Sequence, residues 1–277
     1  MSRASDTLQA RAEVLKLARM LGREPSSLAY LETVPLADVR TLRAQITQAL
    51  WSPDGSGIGK LAAAAKLLPA GLSATISERA LGPVISAQLA ARLEPSRAVD
   101  VAAKLPTPFL ADVAIELDPR RTSAVIAGIP PQRIGEITAE LVARGEYVTM
   151  GQFVGHLDDD ALRAALGAMD NAGVLRVGFV LEDKGGLDRL LALMAPGRIT
   201  GIIGAAAEAD LWLEALDLLG HLGPARRRQM IASARSLDDS VLERIVATVV
   251  EHELWPEARL IAERDPRLEA KLGLARS

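Results

Sequence analysis

The sequence predicts an all-α fold whose middle is a superhelical array, or solenoid, of short helices flanked by longer N- and C-terminal helices. Two observations support this prediction. The chain is 49% hydrophobic but only 3% aromatic, so its core is built from small and medium aliphatic side chains that suit closely packed helices. Aliphatic residues also recur every twelve residues through the middle of the chain, each followed by residues that start helices.

The N-terminal segment, residues 1–51, is predicted to form amphipathic helices. Residues 4–21 place Leu8, Ala12 and Leu15 on one face with arginines and acids opposite, and Gly22 is a common helix stop. A second helix is predicted from about Leu36 to Trp51. Residues 52–60 concentrate glycine, serine and proline, and this composition predicts a linker.

The repeat array is predicted over residues 61–200. Its first six marker positions are spaced twelve residues apart: Leu81, Leu93, Leu105, Leu117, Ile129 and Leu141. Residues that favour a helix start follow directly: Gly82-Pro83, Glu94-Pro95, Pro106, Asp118-Pro119 and Pro130-Pro131. Proline suits the first helical position because the N–H that it lacks would have no intrahelical partner there.

Each repeat unit is predicted to be one short helix and a tight corner. Another aliphatic side chain stands eight residues after each of the first five markers: Leu89, Val101, Val113, Val125 and Ile137. The next marker follows four residues later, which is helical spacing on one face. Helices this short are marginal alone and are stable only when stacked. We therefore expect Leu117→Ala, at a marker, to cost roughly 2 to 5 kcal/mol of stability.

A weaker run resumes after a break at residues 144–147, with markers at Leu157, Met169, Leu181 and Leu193. Longer amphipathic patterns then predict closing helices at about 210–219, 224–234, 238–252 and 256–264. Residues 201–277 are therefore predicted to form a C-terminal helical cap that covers the last repeat.

The corners Leu93-Glu-Pro, Leu105-Pro, Leu117-Asp-Pro and Ile129-Pro-Pro resemble those of the cytosolic N-terminal domain of the MgtE magnesium transporters, over roughly residues 65–200. The resemblance implies a superhelix of short helices. In that family the domain precedes paired CBS domains and a transmembrane pore, and magnesium between acidic surfaces of these parts shuts the channel. These 277 residues include neither part, so the resemblance carries over no metal ligand.

Two clusters of charge are candidate sites. Asp158, Asp159 and Asp160 put three carboxylates where a helix is predicted to begin; they favour a helix cap or, alternatively, a divalent-cation or partner surface, with Mg²⁺ as the candidate ion. Arg226, Arg227, Arg228 and Arg235 form the densest basic cluster. The arginines indicate a solvated helix face, a surface for an acidic protein partner or, less readily without interleaved aromatic residues, nucleic acid.

Composition excludes several classes of protein. The chain has no cysteine and a formal net charge of −3, so thiolate chemistry is absent and no strong global field attracts nucleic acid or an anionic membrane. The N-terminus lacks the apolar stretch of a signal peptide, and no apolar run approaches the roughly 20 residues that span a bilayer. We expect a soluble cytoplasmic protein without membrane insertion.

The sequence favours a non-catalytic helical-repeat scaffold or protein-interaction module, since stacked helices create extended binding surfaces. No Ser/His/Asp or paired-carboxylate pattern supplies a nucleophile and a base, and no cofactor motif is present. Two alternatives remain. The first is a regulatory protein that responds to a divalent cation and is related to the MgtE cytosolic domain. The second is an enzyme of unrecognised type.

Overall fold

The computed structural model describes residues 3–50, 56–234, 238–255, 258–259 and 266–273. Over these ranges the chain forms helices, turns and no β-strand, which confirms the predicted all-α class. The helices in these ranges include none that combines the length and the apolar character needed to cross a membrane.

The chain divides into two compact units, of which the first combines residues 1–44 with residues 170–277. Its N-terminal part contains α1 (Arg3–Met20), a 3-10 helix (Pro25–Thr33) and most of α2 (Leu36–Leu50). Its C-terminal part contains α12 (Asn171–Phe179), a 3-10 turn (Lys184–Gly186), α13 (Leu187–Ala192), α14 (Pro196–Glu208), α15 (Trp212–His221), α16 (Pro224–Ala234), α17 (Asp239–Glu251) and α18 (Pro266–Lys271).

The second unit, residues 45–169, contains most of the repeats. After the end of α2 it comprises α3 (Ser56–Ala65), α4 (Ala70–Ile76), α5 (Gly82–Ala90), α6 (Pro95–Ala102), α7 (Thr107–Ile115), α8 (Ser123–Ile126), α9 (Pro131–Ala143), α10 (Tyr147–Phe153) and α11 (Asp159–Gly167). The unit boundaries, after Ala44 and after Met169, differ from the boundaries predicted at residues 51–61 and at residue 200.

Helix α1 is buried on more faces than its amphipathic pattern predicts. Leu8, Ala12 and Val14 are buried, as expected for apolar positions. Glu13, one of the acids predicted to lie on the solvated face, is buried as well, and so is Lys16. The solvated-face prediction is therefore wrong for Glu13, and both charges have partners inside the first unit.

The short helices of the second unit pack on their second neighbours along the chain. Helix α3 packs on α5, α4 on α6, α5 on α7, α6 on α8, α7 on α9 and α9 on α11. Ala74, Val101, Leu105 and Leu110 form a core cluster between these helices. Because each helix packs on the second helix along the chain, helices that pack on each other are two twelve-residue repeats apart. We call such a pair of repeats one structural layer.

Arginine side chains join successive layers. Arg97 at the start of α6 donates hydrogen bonds to the carbonyl oxygens of Ala65 and Leu68, in the turn between α3 and α4. Arg133 at the start of α9 donates to the carbonyl oxygen of Leu105 just before α7. Each arginine stands four residues after a marker and binds a carbonyl oxygen 28 or 29 residues earlier in the chain. We call this contact an arginine brace, and it recurs in two layers.

The predicted corner chemistry holds at some repeats and fails at one. Pro95 and Pro131 begin α6 and α9, as predicted. At Asp118-Pro119 a turn intervenes and α8 begins only at Ser123. There the Asp118 carboxylate accepts the N–H of Arg120 (3.1 Å), and its carbonyl oxygen accepts the hydroxyl of Thr122 (2.8 Å). These local bonds compete with helix formation, so the helix start predicted at Asp118-Pro119 is wrong.

Four of the first six marker positions are only half-buried. Leu105 and Leu141 are buried, whereas Leu81, Leu93, Leu117 and Ile129 are half-buried. The positions eight residues after a marker are buried at Leu89, Val101, Val113 and Val125. The core is therefore centred on these positions, and Leu117 is a poorer probe of it than the sequence suggests.

Two further predictions, the linker and the closing helices, can be compared with the structure. Residues 56–60, predicted to belong to the linker, form the first turns of α3; residues 51–55 lie outside the described ranges. The closing helices predicted at 210–219, 224–234 and 238–252 correspond to α15, α16 and α17. The helix predicted at 256–264 falls mainly on residues outside the described ranges.

Candidate interaction surface and buried ion pairs

The predicted acidic cluster lies at the start of α11. The Asp158 carboxylate accepts the N–H of Ala161 at 2.8 Å and caps the helix. Asp160 pairs with Arg163 at 2.7 Å on the surface, and Asp159 is exposed beside it. Among the residues that the structure describes, no three histidine or carboxylate side chains converge to hold a metal ion. The carboxylates of Asp158 and Asp160 thus have a local structural role, and Mg²⁺ binding stays a prediction.

The predicted basic cluster lies on α16, apart from Arg235, which is outside the described residues. Arg227 donates to the carbonyl oxygens of Gly220 (3.3 Å) and Leu222 (2.8 Å) at the end of α15. Arg226 bonds the side chain of Gln229 at 3.0 Å, and Arg228 is exposed. Arg227 therefore serves the packing of α15 against α16, which leaves a smaller basic surface than the sequence suggests.

Four charged residues of the first unit, Glu13, Lys16, Arg43 and Glu182, form what we call the buried ionic cluster. Glu13 accepts from Lys16 at 3.0 Å and from Nε of Arg43 at 2.8 Å. Nη2 of Arg43 donates to Glu182 at 2.9 Å, and Nζ of Lys16 also donates to the carbonyl oxygen of Leu181 at 3.4 Å. The cluster joins α1 and α2 to the corner that follows α12.

The charges of this cluster sustain one another. Burial disfavours the charged form of Glu13, but Lys16 and Arg43 outweigh burial and hold the pKa of Glu13 below its usual value. Burial likewise acts against the charge of Arg43, and Glu182 and Glu13 reverse that effect and raise its pKa. Because Glu13 pairs with both Lys16 and Arg43, its removal takes a partner from two buried cations.

Lys184 is a further cation of the first unit whose side chain is largely buried, with 13% exposed. Its ammonium group donates to the carbonyl oxygens of Gly178 (3.0 Å) and Phe179 (2.5 Å) and to Asp217 (3.2 Å). Burial lowers the pKa of Lys184, and Asp217 offsets only part of this effect. A lysine with a lowered pKa is a candidate nucleophile. Here all three donors are directed to acceptors in the fold, an arrangement typical of a structural cap on the end of α12.

The second unit carries a different kind of feature on α3 and α4. Leu61, Leu67 and Leu72 are exposed, and the Leu67 side chain is 88% exposed. With the exposed Lys60 and Lys66, these leucines make up what we call the α3–α4 surface. Monomeric proteins expose scattered leucines routinely, whereas this surface has three exposed leucines within twelve residues of the chain.

The backbone beneath Leu67 is held in place. Arg97 binds the carbonyl oxygens of Ala65 and Leu68 on either side of it and also reaches the hydroxyl of Ser73 at 3.5 Å. The N–H of Leu67 donates to the carbonyl oxygen of Ala64 at 3.0 Å. Leu67 therefore stands on a turn whose backbone is held by hydrogen bonds, and a segment already ordered loses less entropy on binding than a mobile one.

Helical spacing aligns the apolar side chains of this surface. Leu61, Ala64 and Leu67 follow one another at intervals of three residues, so they are neighbours along one side of α3 and its last turn. The opposite side carries Ala62, which is buried. Ala62 thus faces the core, whereas Leu61 on α3 and Leu67 in the turn after it are exposed to solvent.

The sequence did contain a sign of this surface. Leu67 and Leu68 are adjacent in the turn between α3 and α4, where Leu67 is exposed and Leu68 is half-buried. The twelve-residue spacing, extended back from Leu81, places a marker at Pro69, just before α4, so this position carries a proline in place of an aliphatic residue. The buried ionic cluster had a weaker sign, since Glu13 and Lys16 stand three residues apart with apolar residues on both sides.

No protein-family model, curated protein or solved structure matches this chain. The resemblance to the MgtE domain therefore stays a prediction from the corner residues.

Proposed function

We propose that this protein is a non-catalytic protein-interaction module of the cytoplasm and that the α3–α4 surface is its docking site. Within this proposal, α3 to α11 form a short superhelical array, and α3 and α4 are its terminal helices. The packing of each helix on its second neighbour and the recurring arginine braces support the array. The lack of cysteine fits a reducing compartment.

One observation carries the proposal: Leu67 is 88% exposed on a turn that Arg97 holds in place. Terminal repeats of helical arrays normally present a polar outer face, because no further repeat covers them. Here the terminal helices present leucines instead. An ordered apolar surface at the end of an array is well suited to bind a further protein element.

The charged groups of the molecule support a non-catalytic role. Lys16 and Lys184, the buried amines, donate to carboxylates and carbonyl oxygens of the fold. A nucleophile requires a free lone pair close to a base, and these amines are committed as donors. The alternative of a cation-responsive protein is tested by the metal titration described in the Discussion.

Comparative capture tests the proposal. Wild-type protein, Leu67→Gln and Val250→Gln are immobilised at equal density, and proteins retained from a lysate of the source cells are quantified by mass spectrometry. Val250 is an exposed apolar residue of α17 and serves as the matched control. We expect a set of proteins that wild type and Val250→Gln retain and that Leu67→Gln loses at least fivefold, a ratio of about 1 kcal/mol. Equal retention by Leu67→Gln would contradict the proposal.

A further inference from the structure

We infer that the partner of the α3–α4 surface is an acidic amphipathic helix. This inference rests on the proposed function and adds the chemistry of the ligand to it. It follows from the charges that accompany the leucines of the α3–α4 surface and from the small side chains between these leucines.

The charges on this part of the chain have one sign. Residues 56–77 contain two charged residues, Lys60 and Lys66, and the first acidic residue after them is Glu78. Both lysines are exposed, and each is directly adjacent in sequence to an exposed leucine. A partner with carboxylates beside its apolar anchors gains attraction from both lysines, whereas a basic partner is repelled.

The side chains between the leucines permit close approach. Ala63 and Ala64 are exposed and lie between Lys60 and Leu67. Small residues beside larger leucines let the backbone of a second helix approach closely, since helices pack by fitting the ridges of one into the grooves of the other. A helix that docks here would present apolar residues at spacings of three, four and seven, as helices bound in apolar grooves do.

A membrane surface is a poorer match to the same residues. Clusters that bind anionic lipids typically contain about four to eight basic residues, and this strip has two. Helices that lie in the interface often carry tryptophan or phenylalanine on the apolar face, and residues 56–77 contain no aromatic residue. A peptide helix with two or three carboxylates satisfies the charges without these features.

Peptide display tests the inference. A library of random 16-residue peptides is selected against the immobilised full chain, after depletion on the Leu67→Gln variant. We expect the retained sequences to be net negative and to repeat leucine-like residues at helical spacing. For an enriched peptide, fluorescence anisotropy should show about tenfold weaker binding to Lys60→Glu/Lys66→Glu and unchanged binding to Val250→Gln. Thermal melts confirm that every variant is folded.

The outcomes separate this inference from the proposed function. Enriched peptides that are neutral or basic, but still depend on Leu67, would overturn the acidic partner and leave the interaction module intact. If no peptide is enriched and the chain sediments with phosphatidylserine vesicles through Leu67, the surface binds membranes and both ideas are overturned. If neither peptides nor vesicles depend on Leu67, the α3–α4 surface is not a docking site.

Discussion

Glu13 and Lys16 lie one turn apart on α1 and form an ion pair of 3.0 Å from which water is almost excluded, since their side chains are 3% and 2% exposed. Arg43 binds the same carboxylate from α2 at 2.8 Å. This arrangement makes α1 a central element of the first unit rather than a surface helix. It also makes Glu13 the charge on which two buried cations depend.

Glu13→Gln should therefore destabilise the protein at pH 7 by about 3 kcal/mol, because it leaves Lys16 and Arg43 without their shared anion. Urea unfolding measures the change. Asp160→Asn is the matched control, because its partner Arg163 is exposed and a surface pair contributes about 0.5 kcal/mol. Similar small losses for both variants would show that the cluster contributes no more than a surface ion pair.

Comparison of wild type with Glu13→Gln also tests how stability depends on pH. Because the pKa of Glu13 is lower in the folded protein than its ordinary value of 4.5, folding favours the ionised form. The resulting stability is present above pH 4.5 and is lost as the pH falls through the folded-state pKa. The gap in unfolding free energy between wild type and Glu13→Gln should therefore narrow steadily in acid. A gap that stays constant down to pH 3 would assign the loss to something other than this charge.

The pair of Lys184 and Asp217 should show strong coupling. Each single change, Lys184→Met or Asp217→Leu, leaves a buried group without its ionic partner and is expected to cost about 3 kcal/mol. The double variant replaces both charges with apolar side chains and should be more stable than the sum of the two losses predicts. A double-mutant cycle from urea unfolding measures this coupling, and simple additivity would mean that the pair does not act as a unit.

The core of the second unit should respond more strongly at Leu110 than at Leu117. Leu110 is buried in the cluster with Val101 and Leu105, so Leu110→Ala is expected to cost about 2 to 5 kcal/mol. Leu117 is half-buried, so the loss for Leu117→Ala should be smaller. Chemical denaturation of the two variants compares them directly. A larger loss of unfolding free energy for Leu117→Ala than for Leu110→Ala would show that the marker positions are the centre of the core.

Asp158 distinguishes a helix cap from a metal ligand. As a cap on α11, Asp158→Ala should cost about 1 kcal/mol whether or not a metal is present. Thermal unfolding in EDTA and in rising Mg²⁺, Mn²⁺ or Ca²⁺ at constant ionic strength provides the test. We expect no saturable shift of the melting temperature. A saturable rise for one cation that disappears in Asp158→Ala would favour the cation-responsive alternative, since a ligand stabilises the state that binds it.

The sequence predicts this fold well where a local rule decides the outcome. The all-α class follows from composition and periodicity, and the starts of α6 and α9 follow from Pro95 and Pro131. The prediction fails at Asp118, where side-chain bonds to the local backbone form a turn before α8. It also misplaces the centre of the core, because a period of twelve fixes spacing but not which residue of each repeat faces its neighbour.

The candidate site was harder to predict than the fold, for a physical reason. The turn that carries Leu67 is held by Arg97, which stands 29 residues away from Leu68 in sequence and binds its carbonyl oxygen. The burial of Glu13 similarly depends on Arg43 and on the fold around it. A local pattern describes the neighbours of a residue along a helix, whereas these two features are decided by partners from other helices.

Site-specific photo-crosslinking is the direct test of whether the α3–α4 surface docks a protein partner. A benzoylphenylalanine at position 67 of the full chain is irradiated in the source cells, and the same group at position 250 serves as the control. We expect one or a few discrete cross-linked proteins at position 67 that are absent at position 250, with cross-links mapping to an acidic helical segment. Identical patterns at the two positions, or no cross-linked protein at position 67, would contradict the assignment of the α3–α4 surface as the docking site.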